Sequence, residues 1–452
     1  MNVESLRSQF RGDLLTPETP GYDAARRIWN GMIDRRPDVI ARCTGPADVT
    51  AAVRFAAEND LYPAIRAGGH NVAGLAMIDG GIVIDVTRMK GIYVDAKRAT
   101  AIAQTGLTWG EFDRETHLHG LATTGGLIST TGIAGLTLGG GVGWLMGKCG
   151  LVCDNTLSYD IAVASGDLIR ADAEEHPDLY WGLKGGGGNF GVVTSITYRM
   201  YPITTVISGM VLHPFDRARE VLRFYRDFTT AGLPDELVVY AAALSTPDGL
   251  PVVALMPAWC GDPEEGERRL KPLRSFGSPI ADLVAPMPYP AMQQMIDAAA
   301  PYGIRSYWKS RFLRGLPDAA IDTFVEFAAL RTSPRSIIVL EHSHGAATRI
   351  AAEATAFPTR SAPFDLVVIS LWSEAAEDER HIGWTRRFHS AMEPWSAGTA
   401  YVNSLDQDDQ GRISEAYGAN YARLMDVKRA YDPQNRFRRN QNIQPARQAA
   451  TT

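Results

Sequence analysis

The 452-residue chain lacks the features that mark several large classes of protein. Its four cysteines, Cys43, Cys149, Cys153 and Cys260, are too few and too scattered for a disulfide framework. It has no long run of lysine or arginine and a formal net charge of −6, whereas nucleic-acid binding normally needs a basic face. On this charge pattern we expect no nucleic-acid partner. The N-terminal residues contain no apolar segment typical of a secretory signal, so we expect a cytoplasmic protein.

Motifs of several common sites are also absent. The chain has neither a Walker A lysine motif nor the GxSxG motif of serine hydrolases. Glu341, His342 and His344 are close in sequence, but their spacing is not that of a zinc site. We therefore expect no bound metal.

Residues 120–147 carry no charged side chain and are long enough to span a bilayer. They contain ten glycines, however, and glycine is a poor helix former. This stretch is better interpreted as buried loop and turn backbone that packs against a large partner, such as another part of the chain or a bound molecule. We expect no membrane partner.

The chain is too long for one ordinary hydrophobic core, which favours two lobes. Residues 206–400 alternate amphipathic helices with apolar strands, a pattern typical of an antiparallel sheet covered by helices. The pattern returns to helix in the last fifty or so residues. We predict an α+β fold with a first domain over 1–205, a second over 206–400, and a C-terminal segment, 401–452, that rejoins the first.

Local patterns predict individual elements. Turn residues at 165–167 and 247–249 indicate two hairpins. The remaining predictions are a helix over 24–33, strands over 80–89 and 91–106 that pair with each other, and a helix over 413–431.

Glycine is concentrated in three clusters: residues 66–70 (RAGGH), 125–143 and 185–191 (GGGGNFG). Consecutive backbone N–H groups at glycines form concave anion sites that a phosphate can approach closely. Clusters so far apart suit a long, doubly phosphorylated cofactor, although each alone could be a tight turn. The third cluster matches GxGxxG, but a helix precedes it and a strand follows, the reverse of a dinucleotide-binding fingerprint.

Four segments together resemble a known family: PAIRAGGHNVAG (63–74), LTLGGGVGWLMGKCGLVCDN (136–155), DLYWGLKGGGGNFGVVTSITYRMYP (178–202) and YDPQNRFRRNQNI (431–443). They are similar to FAD-linked oxidases of the vanillyl-alcohol oxidase superfamily, within its berberine bridge enzyme-like group. The resemblance spans nearly the whole chain. It implies the two-lobe, PCMH-type FAD-binding fold.

The resemblance implies FAD bonded covalently to His70, the histidine of the RxGGH motif. Some family members add a second link through a cysteine, and Ile128 occupies that position here, which implies a single link. The other implied cofactor-binding residues lie in the pyrophosphate loop, the glycine-rich stretch, the strands that line the adenine and ribityl portions, and the C-terminal segment beside the isoalloxazine. They are Arg66, Ala67, Gly68, Gly69, Asn71, Gly126, Thr130, Thr131, Gly132, Gly135, Gly139, Gly141, Gly143, Asn155, Gly191, Val193, Asn440 and Asn442.

The segment TAYVNSLD (399–406) resembles the family strand that carries a catalytic tyrosine, which implies that Tyr401 is the base, with Asn403 beside it. A phenol has a pKa of about 10, so Tyr401 would need positive charge or a hydrogen-bond donor nearby. The alternative is a tyrosine that only packs. Asp365 is a further candidate because its neighbours are apolar and a buried carboxylate is costly without a partner. Glu341 and His342 are lesser candidates.

The expected activity is oxidation of a small organic substrate with dioxygen as acceptor, giving hydrogen peroxide. A dehydrogenase with another electron acceptor and a non-catalytic FAD-binding protein are the alternatives. Alcohol, amine, sugar and phenolic substrates all remain open, as does the oligomeric state.

Overall fold

The computed structural model describes residues 3–447, which form three β-sheets with helices packed around them. The first sheet has the order β1–β2–β4–β3, in which β2, β4 and β3 run parallel and β1 is antiparallel to β2. Its strands are β1 (Asp13–Leu15), β2 (Val39–Arg42), β3 (Ala64–Arg66) and β4 (Ile82–Asp85).

The second sheet is antiparallel, with the order β5–β6–β9–β7–β8. Its strands are β5 (Ile92–Asp95), β6 (Thr100–Gln104), β7 (Thr156–Val163), β8 (Leu168–Asp172) and β9 (Gly191–Arg199). The turn at 165–167 joins β7 to β8, which confirms the first predicted hairpin.

The third and largest sheet is also antiparallel, with a main order of β14–β11–β13–β12–β17–β18–β16 and β10 pairing with β13 and β15. Its strands are β10 (Thr205–Ser208), β11 (Val211–Pro214), β12 (Leu237–Ser245), β13 (Pro251–Trp259), β14 (Ala281–Asp282), β15 (Ala285–Pro288), β16 (Arg305–Leu313), β17 (Ile337–His342) and β18 (Phe364–Trp372). The second predicted hairpin, β12–β13, is confirmed.

The α-helices of the first half are α1 (Val3–Arg7), α2 (Tyr22–Ala25), α3 (Pro46–Glu58), α4 (Trp109–His117), α5 (Ile133–Leu138), α6 (Met146–Cys149), α7 (Pro177–Leu183) and α8 (Ala218–Thr230). Those of the second half are α9 (Pro263–Ser275), α10 (Tyr289–Gln293), α11 (Asp318–Ala329), α12 (Ala346–Arg349), α13 (Asp378–Ala391), α14 (Ile413–Tyr417) and α15 (Tyr421–Tyr431).

The large sheet has two differently covered faces because its side chains alternate along each strand. One face buries apolar residues against α8, α9, α11 and α13. On the other face, Tyr240, Met256, Val339 and Val367 share a core with Trp144 and neighbouring residues of the uncharged stretch. The architecture is the α+β fold predicted from the sequence, and residues 120–147 lie against the large sheet.

The predicted helix over 24–33 is wrong beyond Ala25. Tertiary hydrogen bonds replace the helical ones there: the Trp29 N–H donates to the Gly69 carbonyl at 3.1 Å, and the Gly31 N–H donates to the Ile304 carbonyl at 2.8 Å. The amphipathic pattern of this segment therefore reflects contacts with two distant loops.

The predicted pairing of residues 80–89 with 91–106 is also wrong. Strand β4 lies between β2 and β3, so both of its edges are occupied and β5 pairs with β6 instead. All four β4 residues are buried, as is typical of a central strand in a parallel sheet.

Two predictions near the C-terminus need correction. The segment 399–406 is not a strand, because the Ser404 N–H returns to the Tyr401 carbonyl at 3.0 Å and closes a short 3-10 turn, Val402–Ser404. The helix predicted over 413–431 is divided into α14 and α15 at Gly418, whose φ of +49° suits glycine.

Candidate functional site

A cavity of about 400 Å³ lies between the glycine-rich loops and one face of the large sheet. Residues from all the recognised motifs line it. The predicted site residues in its wall are Ala67, Gly68, Gly69, His70, Asn71, Gly126, Thr131, Gly132, Gly135, Gly191, Val193, Tyr401, Asn403 and Asn440.

His70 lies in the cavity wall and contacts both the N-terminal segment around Trp29 and the glycine-rich stretch. Its ring stacks on Trp29 with centroids 5.4 Å apart, and Thr130 Oγ1 lies 3.0 Å from Nε2. Thr131 Oγ1 lies 3.5 Å from Nδ1. Burial lowers the pKa of His70 to about 4, so the imidazole is neutral near pH 7 and keeps one nitrogen lone pair.

The RAGGH loop and the glycine-rich stretch approach each other backbone to backbone. A Cβ on Gly68 would lie 2.3 Å from the Gly132 nitrogen, which is closer than any side chain allows. Gly69 has a φ of +69°, a conformation that glycine adopts without strain. Glycine at these positions therefore lets the His70 loop lie directly against the second glycine cluster at Gly132.

Gly139, Gly141 and Gly143 lie behind the cavity wall. A Cβ on Gly139 would lie 2.0 Å from Asn403 Oδ1, and one on Gly143 would lie 1.7 Å from the Gly125 carbonyl oxygen. The Gly141 N–H donates to the Tyr401 hydroxyl at 3.0 Å. Gly139 therefore makes room for Asn403, and Gly143 lets the stretch fold back on Gly125.

The Tyr401 hydroxyl receives two hydrogen bonds, because Asn403 Nδ2 also donates to it, at 2.9 Å. Burial raises the pKa of Tyr401, and the nearby charge of Glu341 adds to the increase. The Asn403 amide and the backbone N–H groups of Gly141 and Val142 act in the opposite direction because they stabilise the phenolate. The donors that the sequence argument required are thus present.

Glu341 and Asp365 are directly opposed on β17 and β18, and both are buried. Only Glu341 lines the cavity. Burial raises the pKa of Glu341 to about 7. Burial and the charge of Glu341 raise the pKa of Asp365, whose carboxylate oxygens have no hydrogen-bond partner among residues 3–447. Two such close carboxyl groups do not both ionise near neutral pH.

Three predicted cofactor-binding residues have other contacts in the described structure. The Asn155 amide donates to the carbonyls of Cys149 and Leu151 and accepts from the Tyr201 hydroxyl, all within 2.9 Å. Arg66 donates to the Ala25 carbonyl, and Thr130 bonds to His70. None of the three is among the described residues that line the cavity.

The C-terminal segment presents unused amide groups at the cavity. Asn440 Nδ2 donates to the carbonyls of Gly188 and Phe437, but its Oδ1 is buried without a partner in the described part of the chain. Gln441 Nε2 is also buried without a partner there, and Gln441 lines the cavity; Asn442 Oδ1 is likewise without a partner, but Asn442 is not among the lining residues. Buried amides without partners are costly, so this set fits the polar edge of a bound heteroaromatic ring.

Sequence reasoning missed several cavity residues. Trp29 and Trp308 line the cavity and contact each other edge-on at 5.6 Å, although they are far apart in the chain. Gly187, Gly188 and Gln441 also line it. The signal for the two glycines was present in the GGGGNFG cluster, whereas no local pattern identified the tryptophans.

Within residues 3–447, no group of three or more histidine, cysteine or acidic residues is arranged to hold a metal ion. His342 and His344 stack at 5.1 Å, and burial lowers the pKa of His342 to about 3. Over the same residues, no helix combines the length and hydrophobicity needed to cross a bilayer.

Comparison with known proteins identifies the family of the chain, and the matched ranges include residues of the cavity wall. The family model for an FAD-binding domain matches residues 37–172, and the model described as berberine and berberine-like matches residues 400–444. The FAD-linked oxidoreductase YgaK of Bacillus subtilis is 30% identical, covering 98% of this chain and 99% of that protein.

Two solved structures show the same fold. The 6-hydroxy-D-nicotine oxidase of Arthrobacter nicotinovorans is 28% identical, with a TM-score of 0.89 over 97% of this chain and 98% of that one. The grass pollen allergen Phl p 4, which has glucose dehydrogenase activity, is 20% identical, with a TM-score of 0.89 over 99% of this chain and all of its own.

Proposed function

Because the chain belongs to the FAD-linked oxidoreductases of the berberine bridge enzyme-like family, we propose that it is an oxidase whose FAD is bonded covalently to His70. Residues 1–205 and 401–452 hold the cofactor, and residues 206–400 supply the substrate wall. The substrate is a small organic alcohol, amine or phenol, and dioxygen is the electron acceptor.

The state of His70 supports the covalent link. The ring is neutral, lines the cavity and is positioned by Trp29 and Thr130, so a lone pair is available to bond to carbon. Ile128 lines the same cavity and has no nucleophilic group, which supports a single link. Burial raises the pKa of Cys149 and Cys153, so neither is a ready thiolate.

FAD, when bound, supplies the two-electron chemistry by accepting a hydride and passing electrons to an acceptor. The chain would hold it at the glycine loops around Gly68 and Gly132 and at the amides of Asn440, Gln441 and Asn442. The orphaned amide atoms are the observation that supports this placement.

Tyr401 is the proposed base for the substrate proton. Tyr401 lines the cavity, and its hydroxyl accepts hydrogen bonds from Gly141 and Asn403, which offset part of the rise in pKa that burial causes. Glu341 is a second candidate, because it alone presents a carboxyl group among the described cavity-lining residues and its pKa is about 7.

The link is tested on a denaturing gel. The purified wild-type protein should show flavin fluorescence that migrates with the polypeptide, and His70→Ala should release its FAD on unfolding. His119→Ala, at an exposed position, is the matched control. Free flavin from unfolded wild-type protein would contradict the link.

The acceptor is tested without knowing the substrate. The flavin is reduced under anaerobic conditions by light with EDTA as the electron donor. It is then mixed with dissolved dioxygen, and its reoxidation is followed by absorbance. An oxidase should reoxidise faster than free reduced FAD and release peroxide. Slow reoxidation would favour a dehydrogenase, the activity that the structurally similar pollen allergen has.

A further inference from the structure

One wall of the cavity is formed by the large sheet and is almost entirely apolar. The side chains that point into the cavity include Ala242, Met256, Val339, Val367, Ile369 and Leu371. Among the described lining residues between 205 and 372, Glu341 is the only one with a charged side chain.

The wall also offers very few hydrogen bonds from other sources. The backbone groups of β12, β17 and β18 pair with neighbouring strands over most of their length. The Trp308 indole N–H already donates to Ser306 Oγ at 2.6 Å. A substrate hydroxyl placed against this wall would therefore lose its bonds to water and gain none.

Among the described lining residues, the one charged side chain of the sheet wall lies near the proposed base. Glu341 is near enough to Tyr401 for its charge to raise the pKa of the phenol, and Asn403 donates to the same phenol oxygen. One donor group on a ligand can be satisfied there by the Glu341 carboxyl, since the Tyr401 oxygen already accepts from Gly141 and Asn403. The rest of the ligand must match an apolar surface.

From this distribution we infer that the substrate is an apolar, ring-bearing amine or alcohol with a single hydrogen-bond donor, and that sugars are excluded. The inference rests on the proposed oxidase function and specifies the substrate of that site. The thioether of Met256 and the indole of Trp308 suit a flat ring, because sulfur and aromatic side chains make favourable contacts with aromatic faces.

The test measures ligand binding to the flavin-loaded protein with four probes: N-methylbenzylamine, benzyl alcohol, glucose and cellobiose. Binding is followed by the shift of the flavin absorbance spectrum and by tryptophan fluorescence, since Trp308 lines the cavity. We expect at least one benzylic probe to bind ten or more times more tightly than either sugar. Separate titrations of the amine and the alcohol distinguish the two donor types.

Two neighbouring valines provide a matched pair of variants. Val367 lines the cavity, whereas Val368 points to the opposite face and packs in the core beneath the helices. Val367→Thr keeps the shape but adds a hydroxyl to the wall, and should weaken binding of the preferred benzylic probe about tenfold. Val368→Thr should leave that affinity unchanged, and thermal unfolding of both variants confirms that they fold.

The inference would be overturned if either sugar bound as tightly as the benzylic probes, or if the protein showed no preference among the four probes. It would also be overturned if the two valine variants changed the affinity equally. Acid precipitation of the same samples shows whether the flavin is covalently linked. Flavin that stays in the supernatant after acid precipitation would contradict the His70 link but would not affect the comparison of probe affinities. A failure of the covalent link can therefore be told apart from a failure of the substrate inference.

Discussion

Replacing Tyr401 with phenylalanine removes one oxygen atom from the site. That oxygen accepts hydrogen bonds from the Gly141 N–H at 3.0 Å and from Asn403 Nδ2 at 2.9 Å. Asn403 keeps a second acceptor, the Leu136 carbonyl at 3.2 Å, so mainly the Gly141 N–H loses its partner. A buried donor without a partner costs about 1–3 kcal/mol, which is the expected loss in the free energy of unfolding.

The effect on the reaction should be larger than the effect on stability. Loss of a positioned general base slows proton transfer by about 10²–10⁴-fold. The assay is anaerobic stopped-flow absorbance, which follows bleaching of the flavin after mixing with the amine or alcohol probe that reduces the wild-type protein fastest.

Tyr225→Phe is the matched control, because Tyr225 is equally buried and its hydroxyl donates to the Leu340 carbonyl at 3.1 Å on the helix-covered face. It should lose stability without a change in the rate of flavin reduction. Reduction of Tyr401→Phe at the wild-type rate would refute the role of Tyr401 as base, and an equally slow Tyr225→Phe would show that the rate merely follows stability.

Three further predictions concern neighbouring groups. Burial raises the pKa of Glu341 from 4.5 to about 7, so the folded state binds this proton more tightly than the unfolded state, and stability falls as pH rises through this range. Glu341→Gln should therefore be up to about 3 kcal/mol more stable than wild type at pH 8 but little different at pH 4. Urea unfolding at the two pH values measures the difference. Gly139→Ala should displace Asn403 and slow flavin reduction. Gly315→Ala is the control, because no atom lies within 4 Å of its added Cβ, and it should leave the rate unchanged. Equal rates of flavin reduction in the two variants would contradict the packing argument. Lys428→Met leaves the buried Asp432 carboxylate without its cationic partner at 2.7 Å and should cost about 3–5 kcal/mol of unfolding free energy. A loss below about 1 kcal/mol would be inconsistent with that ion pair.

The local elements that periodicity and turn residues specify could be predicted from the sequence. The hairpins at 165–167 and 247–249 formed as expected because their turn residues and flanking apolar runs are both local signals. The segment 24–33 could not be predicted, since its apolar spacing fits a helix but its hydrogen bonds go to Gly69 and Ile304. Nor could the sequence show that β4 inserts between β2 and β3.

The candidate site divides in the same way. The motifs led to His70, Tyr401 and Asn403 as site residues, and the structure brings all three to one cavity. Trp29 stacks on His70 through a contact that no motif encodes. The pairing of Glu341 with Asp365 depends on the register of β17 against β18, which only the folded sheet defines, and it is Glu341 that reaches the cavity.

The covalent bond between His70 and FAD is tested most directly by mass spectrometry of the unfolded, protease-digested protein. The peptide that contains His70 should carry the added mass of one flavin, with fragmentation placing it on the imidazole, and the His70→Ala peptide should carry none. An unmodified His70 peptide from fully flavin-loaded protein, or flavin attached to any other residue, would contradict the proposal.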